Sequence, residues 1–253
     1  MSTPIATEGG HWYAVDGAPK YTIPKKDGSG DRPTTLRDAK KLNLLPSVTT
    51  ITKVLHSEGL LRFKIQESCM AVLTSPRKEG EDLTAFMERV LYTDREADET
   101  AEAARDLGTA VHGAIELALH GKEWNQELAA YVNPTLAEVA KIGTMVAAER
   151  VVVGQGYAGK LDLVVSTPHG PCVVDFKTCK KIPKESYDEH RLQLAAYAGA
   201  CKNIWSTYNI YISTTEPGQV KVVENPYWSD TYTAAWLPLV KFWQWKNNYS
   251  PAQ

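Results

Sequence analysis

Apolar positions along the chain change their period near residue 149. Leu107, Val111, Ala114, Ile115 and Ala118 recur at i, i+4, i+7, i+8 and i+11, the stripe of an amphipathic helix, and 60–148 reads as mostly helical. Beyond 149, short β-branched runs at 151–153, 160–166 and 172–178 are separated by Gly or Pro, which predicts three strands in succession. A helix over about 187–203, strands near 206–214 and 219–224, and a C-terminal helix with Trp236, Phe242, Trp243 and Trp245 complete the order. Upstream, 11–15, 16–19 and 20–23 read as strand, turn and strand, and 25–31 as a flexible polar loop. Pro46-Ser47-Val48-Thr49-Thr50-Ile51 offers a hydroxyl N-cap to a helix carrying Ile51, Val54 and Leu55. The charged run 94–106 mixes both signs, as a solvated helix face does. The fold class is α/β (α+β): one domain with N-terminal additions.

The strand pair 160–166 and 172–178 concentrates the charge. Side chains alternate along a strand, so Asp175 and Lys177 share a face opposite Val174 and Phe176, and Lys160 and Asp162 share a face opposite Leu161, Leu163 and Val165. A turn at Thr167-Pro168-His169-Gly170 sets Leu161 against Phe176 and Leu163 against Val174. The same register sets Asp162 across from Asp175 and Lys160 across from Lys177, and a one-residue slip would push carboxylates among apolar partners. Opposed side chains have Cβ atoms roughly 5 Å apart, where like charges destabilise. A divalent cation suits facing carboxylates better than lysine alone, so Asp162, Asp175 and Lys177 read either as a metal-and-ammonium site or as a solvated patchwork of ion pairs. Two helices add candidates. His112 lies beside the 107–118 stripe with Gly108 one turn earlier, and Gln193 and Tyr197 share a face amid Leu192, Leu194, Ala195 and Ala196, where an amide needs partners.

Gly154-Gln155-Gly156-Tyr157-Ala158-Gly159 matches the dinucleotide-binding fingerprint literally, but that fingerprint needs a helix N-terminus after its glycines. A strand follows here, so a hairpin turn is expected and no nucleotide cofactor. Cys69, Cys172, Cys179 and Cys201 are scattered without a Cys-x-x-Cys pair, which points to reduced, packed thiols. With 43% hydrophobic and 23% charged residues the composition is that of a globular protein, and a net charge of -2 leaves room only for a local basic groove. No apolar run reaches the roughly 18 residues of a membrane span, and the first residues carry no secretory or transit pattern, so a cytoplasmic protein is expected.

Taken together, Gly108-x-x-x-His112, Gly159-x-x-Asp162, Asp175-Phe176-Lys177 and Gln193-x-x-x-Tyr197 resemble the PD-(D/E)XK nucleases of the RecB-like branch. The wording of Pro46-Ser47-Val48-Thr49, Gly108-Thr109-Ala110-Val111-His112 and Leu192-Gln193-Leu194-Ala195-Ala196-Tyr197 is similar to that of mitochondrial genome maintenance and phage exonucleases. The resemblance covers roughly 45–205 and implies a restriction-endonuclease-like core. In it His112, Asp162, Asp175 and the Phe176 carbonyl ligate Mg²⁺ or Mn²⁺, and Lys177 orients or deprotonates water and offsets phosphorane charge. Gln193 and Tyr197 then position the metal site or scissile phosphate, with Glu149 as an additional acidic residue. Leu161 stands where the family name has proline, and without the C-terminal cysteine cluster of some relatives no iron–sulfur centre is expected.

The implied organisation is an N-terminal extension over 1–46 and a nuclease domain over 47–225, with DNA-threading helices at 47–105 and the catalytic core at 106–225. An aromatic-rich helix over 226–253 closes the chain. Ser47, Thr49 and Thr50 at a helix N-terminus and the cations Lys53, Arg62 and Lys64 are candidate phosphate contacts, and Phe63 or Trp12 candidate base-stacking groups. The implied activity is metal-dependent exonucleolysis of single-stranded DNA ends without sequence preference or an obligate protein partner. The alternatives are a duplex-DNA exonuclease, a structure-specific endonuclease, or a nucleic-acid-binding module with a dead nuclease fold.

Overall fold

The computed structural model describes residues 10–55, 58–93 and 95–252, with the side chains at 58–64, 67, 91–93 and 95–104 excepted; those of Arg62, Phe63 and Lys64 therefore lie outside the described residues. In chain order the elements are β1 (Trp12–Tyr13), β2 (Thr22–Pro24), β3 (Asp31–Pro33), α1 (Leu36–Leu42), β4 (Leu45–Pro46) and α2 (Val48–Thr52). Then follow α3 (Glu58–Thr74), α4 (Leu83–Thr93), α5 (Arg95–Leu119), α6 (Ala129–Ile142), β5 (Thr144–Gly154), β6 (Tyr157–Thr167) and β7 (Gly170–Cys179). Last come α7 (Asp188–Ala200), β8 (Ser206–Ser213), β9 (Val220–Glu224), α8 (Trp228–Thr231) and α9 (Leu237–Asn247), with a π-helical turn, Tyr232–Trp236, between the last two helices. Two compact units result: Met1–Val54 with Val111–Gln253, and Leu55–Ala110.

In the larger unit a five-stranded mixed sheet runs β5-β6-β7-β8-β9, flanked by helices. β7 and β8 pair in parallel and α7 makes the crossover between them, as a parallel connection requires. Val164 and Val173, paired across β6 and β7, join Leu192, Leu194, Ala196 and Tyr197 of α7 in the main core, which the C-terminal Trp236 and Trp243 complete. The Gly-x-Gly segment is a hairpin turn, with Gly154 opposite Tyr157 and Gly156 in the left-handed region. Among the described residues no helix is long and apolar enough to cross a membrane.

Three expectations are corrected. β5 begins at Thr144 rather than near 149: Thr-Met-Val-Ala-Ala-Glu-Arg is compatible with a helix, but pairing with β6 overrides that propensity. The strand at 12–13 pairs with β4 rather than chiefly with 20–23, and Thr22–Pro24 pairs with Asp31–Pro33, so the loop at 25–30 closes its own hairpin. The helix after Ser47 ends at Thr52, which leaves Val54 and Leu55 beyond it.

Candidate active site

Asp162 sits where the sheet's regular pairing is interrupted on both sides. The β6–β7 ladder holds the expected register from Thr167–Gly170 to Leu163–Val174 and ends there. The next rung would face Asp162 with Asp175. Instead the Phe176 N–H donates to Asp162 Oδ2 at 2.9 Å, and β7 continues paired to β8 as far as Cys179. Opposed carboxylates would destabilise such a rung, whereas a carboxylate accepting an N–H satisfies both groups. On the other side, β5 and β6 pair at Ala148–Leu163 and Arg150–Leu161, with Glu149 between them at φ 53°. A non-glycine residue in the left-handed region is strained, and such strain concentrates at functional sites.

Around this break the predicted residues converge. His112, on α5 beside the buried Val111 and Ile115, places Nδ1 3.8 Å from Asp162 Oδ2, and its ring meets the Phe176 ring edge-on with centroids 6.1 Å apart. Asp175 is 1% exposed. Lys177 Nζ lies 2.8 Å from its Oδ1 and 2.7 Å from its Oδ2. Gln193 Nε2 donates to the Tyr197 hydroxyl at 3.0 Å. Gly159 explains the glycine of Gly-x-x-Asp: a Cβ there would stand 2.6 Å from Tyr197 Cε1, so only glycine lets the ring pack against β6. Glu149 forms an ion pair with Lys160.

The electrostatics follow from burial. Removal from water, and then the neighbouring Asp175, raise the Asp162 carboxyl to about 7, against the pull of Lys177 and the Phe176 N–H. Burial draws His112 below the usual imidazole range, opposed by Asp175 and by the Phe176 carbonyl, so the ring is neutral at pH 7. Burial also pulls on the Lys177 ammonium, but Asp175 and Asp162 outweigh it and its net shift is upward. Tyr197 is pushed well above a normal phenol, chiefly by burial, and keeps its proton.

The donor chemistry fits a hard divalent cation: two carboxylates, one neutral imidazole and a backbone carbonyl directed toward that imidazole. Among the described residues no three His, Cys, Asp or Glu groups stand together as a ready coordination shell, and Asp175 is engaged by Lys177 and by Asn209, whose Nδ2 donates to Oδ2 at 2.9 Å. The fit is therefore in donor type, with Lys177 standing at the carboxylate a cation would also seek.

Other candidates fall elsewhere. Ser47 is buried and caps α2, accepting from Thr50 N at 3.0 Å, with Thr49 Oγ1 at 3.0 Å and Thr50 Oγ1 at 2.8 Å from its hydroxyl. Thr49 and Lys53 are exposed. Trp12, 2% exposed, packs edge-on to Trp243 in the core and cannot stack on a base. Sequence reasoning missed Asn209 and Ser186, behind Asp175, and the pair Tyr211 and His190, whose hydroxyl and Nδ1 lie 2.9 Å apart next to Lys177 in the β7–β8 register. The available signal was a lone asparagine in the apolar strand Tyr208-Asn209-Ile210-Tyr211, a position that disfavours it.

No curated protein matches the chain. Among solved structures it is similar to that of SSO0001, at 16% identity and TM-score 0.36 over 76% of this chain and 88% of the other. It is also similar to that of an alkaline exonuclease from Laribacter hongkongensis, at 11% identity and TM-score 0.39 over 80% and 87% respectively. The profile of the PD-(D/E)XK nuclease superfamily matches residues 120–224, the stretch that carries Asp162, Asp175, Lys177, Gln193 and Tyr197. That match covers less than half of the chain and shows that this segment is similar to the PD-(D/E)XK nuclease superfamily.

Proposed function

We propose that the protein is a RecB-like, divalent-metal-dependent DNA exonuclease that hydrolyses phosphodiester bonds from single-stranded ends, in phage or bacterial DNA metabolism. One observation carries the reading: the carboxylates of Asp162 and Asp175 and the Lys177 ammonium meet at a break in the sheet, inside the segment that matches a nuclease superfamily, with the His112 imidazole beside Asp162. Asp162, Asp175, His112 and the Phe176 carbonyl would hold Mg²⁺ or Mn²⁺. A cation held there polarises a phosphoryl oxygen and lowers the pKa of a bound water.

The chain's own groups do the rest. Lys177 is kept protonated by Asp175 and Asp162, so it donates to a phosphoryl oxygen and offsets negative charge as the phosphorane forms. The Tyr197 hydroxyl, un-ionised and held by Gln193, serves as a neutral donor that orients the phosphate. Glu149 adds negative charge beside Asp162 and through Lys160 balances it. Thr49 and Lys53, on and just after α2, supply sequence-independent backbone contacts, with Ser47 holding that turn in shape. A cytoplasmic setting agrees with the four unpaired cysteines.

Internally labelled linear and covalently closed circular single strands, and a blunt duplex, test the reading in Mg²⁺ and in EDTA. Loss of the linear strand alone, in Mg²⁺ alone, is the expected result. Cutting of the circle would make the protein an endonuclease, and preference for the duplex would reassign the substrate.

A further inference from the structure

Strand β8 stands directly behind the candidate site. In the parallel register Asn209 is the partner of Asp175, and it is fully buried between Tyr208 and Ile210 of the strand. A strand interior gives an asparagine no intrinsic welcome, and burying an amide costs free energy unless its hydrogen bonds are made. Here they are made. Nδ2 donates to Asp175 Oδ2 at 2.9 Å; Oδ1 takes the Ser186 hydroxyl at 2.9 Å and lies 3.4 Å from Asn225 Nδ2. The amide's partners agree with this orientation: its nitrogen faces a carboxylate oxygen of Asp175, and its oxygen faces the Ser186 hydroxyl and the Asn225 amide nitrogen. Ser186, also buried, lies just ahead of α7 and so ties the network to the crossover between β7 and β8.

We propose that Asn209, locked by Ser186, is a positioning residue for Asp175. By holding Oδ2 from the neighbouring strand, while Lys177 Nζ meets both oxygens, it fixes the plane of the carboxylate that would hold the cation. The inference rests on the metal-dependent reading of the site. Groups that orient a metal-binding carboxylate typically alter metal affinity or activity roughly 10- to 100-fold when removed.

The test combines Mn²⁺ titration of the DNA-free protein by calorimetry with steady-state cleavage of a linear single strand. It uses wild type, Asn209→Ala, Ser186→Ala and Ser186→Thr. The expected result for Asn209→Ala is a roughly 10- to 100-fold rise in the Mn²⁺ dissociation constant, a matching loss of kcat at fixed metal, and an unchanged KM for DNA. Ser186→Ala shifts in the same direction by less, and Ser186→Thr, which keeps the hydroxyl, restores wild-type binding. Should Asn209→Ala not fold, the Ser186 pair decides: equal behaviour of Ala and Thr overturns the proposal. A folded Asn209→Ala with wild-type Mn²⁺ affinity overturns it too, while leaving the nuclease reading intact. Wild type that neither binds Mn²⁺ nor cleaves overturns both.

Discussion

Asp162 and His112 show how burial assigns protonation without any catalytic event. The carboxyl is raised to about 7, mainly by desolvation, while burial depresses the imidazole. In the unfolded chain Asp162 ionises near its ordinary pKa, so between about pH 4 and 7 the folded state holds the proton that the unfolded state has lost. That contribution makes stability fall as pH rises through this window. His190 works in the opposite sense. Burial draws it down to about 4, so the unfolded state binds the extra proton below about 6.5, and stability is lost as pH falls toward 4. In EDTA, Asp162→Asn should therefore melt close to wild type at pH 4.5 and exceed it by on the order of 1–3 kcal/mol at pH 8. A difference that shrinks with rising pH, measured by thermal unfolding, would contradict the assignment.

Gly159 offers a second residue-level test, because a methyl group there would run into Tyr197. Overpacking a closed core costs about 1–3 kcal/mol. Gly159→Ala should lose that much stability and, by displacing the Tyr197 hydroxyl, lower kcat more than KM. Equal effects on both parameters would detach Tyr197 from the chemistry.

At the scale of elements, the sheet's register decides what the site can be. The Leu163–Val174 pairing and the Pro168-His169 turn were legible because one strand face is apolar and the turn residues are distinctive. The false dinucleotide fingerprint was legible as a turn because a strand, not a helix, follows it. Illegible were the two places where pairing fails. The open rung at Asp162 depends on a side chain accepting the Phe176 N–H, and Glu149 takes a left-handed conformation between the rungs Ala148–Leu163 and Arg150–Leu161. Neither leaves a mark in hydrophobic periodicity. Asn209 was hidden for a related reason, since its meaning lies in a parallel partner 34 residues away in sequence. The N-terminal pairing of β1 with β4 is likewise non-local and could not be told from a simple hairpin. Helix α2 carries its own prediction: Ser47→Ala removes the cap of that short helix and should cost about 0.5–2 kcal/mol, read by thermal melting, with wild-type kcat. A large kcat loss at unchanged stability would instead place Ser47 on the substrate.

The whole molecule carries a net charge of -2, so the proposed attraction for nucleic acid rests on local groups and not on a general basic coat. Each phosphate neutralised on a single strand contributes about -0.7 to the slope of log affinity against log salt. Lys53→Ala should lower the magnitude of that slope by about 0.7, measured by fluorescence anisotropy in EDTA. An unchanged slope removes Lys53 from the interface.

Cleavage of a labelled linear single strand under single-turnover conditions decides whether Asp175 and Lys177 carry metal-dependent hydrolysis. The comparison is wild type, Asp175→Ala and Lys177→Ala, each in Mg²⁺ and in EDTA. Hydrolysis by wild type in Mg²⁺ only is expected, with no detectable hydrolysis by Asp175→Ala and a loss of about 10²- to 10³-fold for Lys177→Ala, whose ammonium would offset the developing charge. Full Mg²⁺-dependent hydrolysis by Asp175→Ala would show that the chemistry lies elsewhere in the molecule.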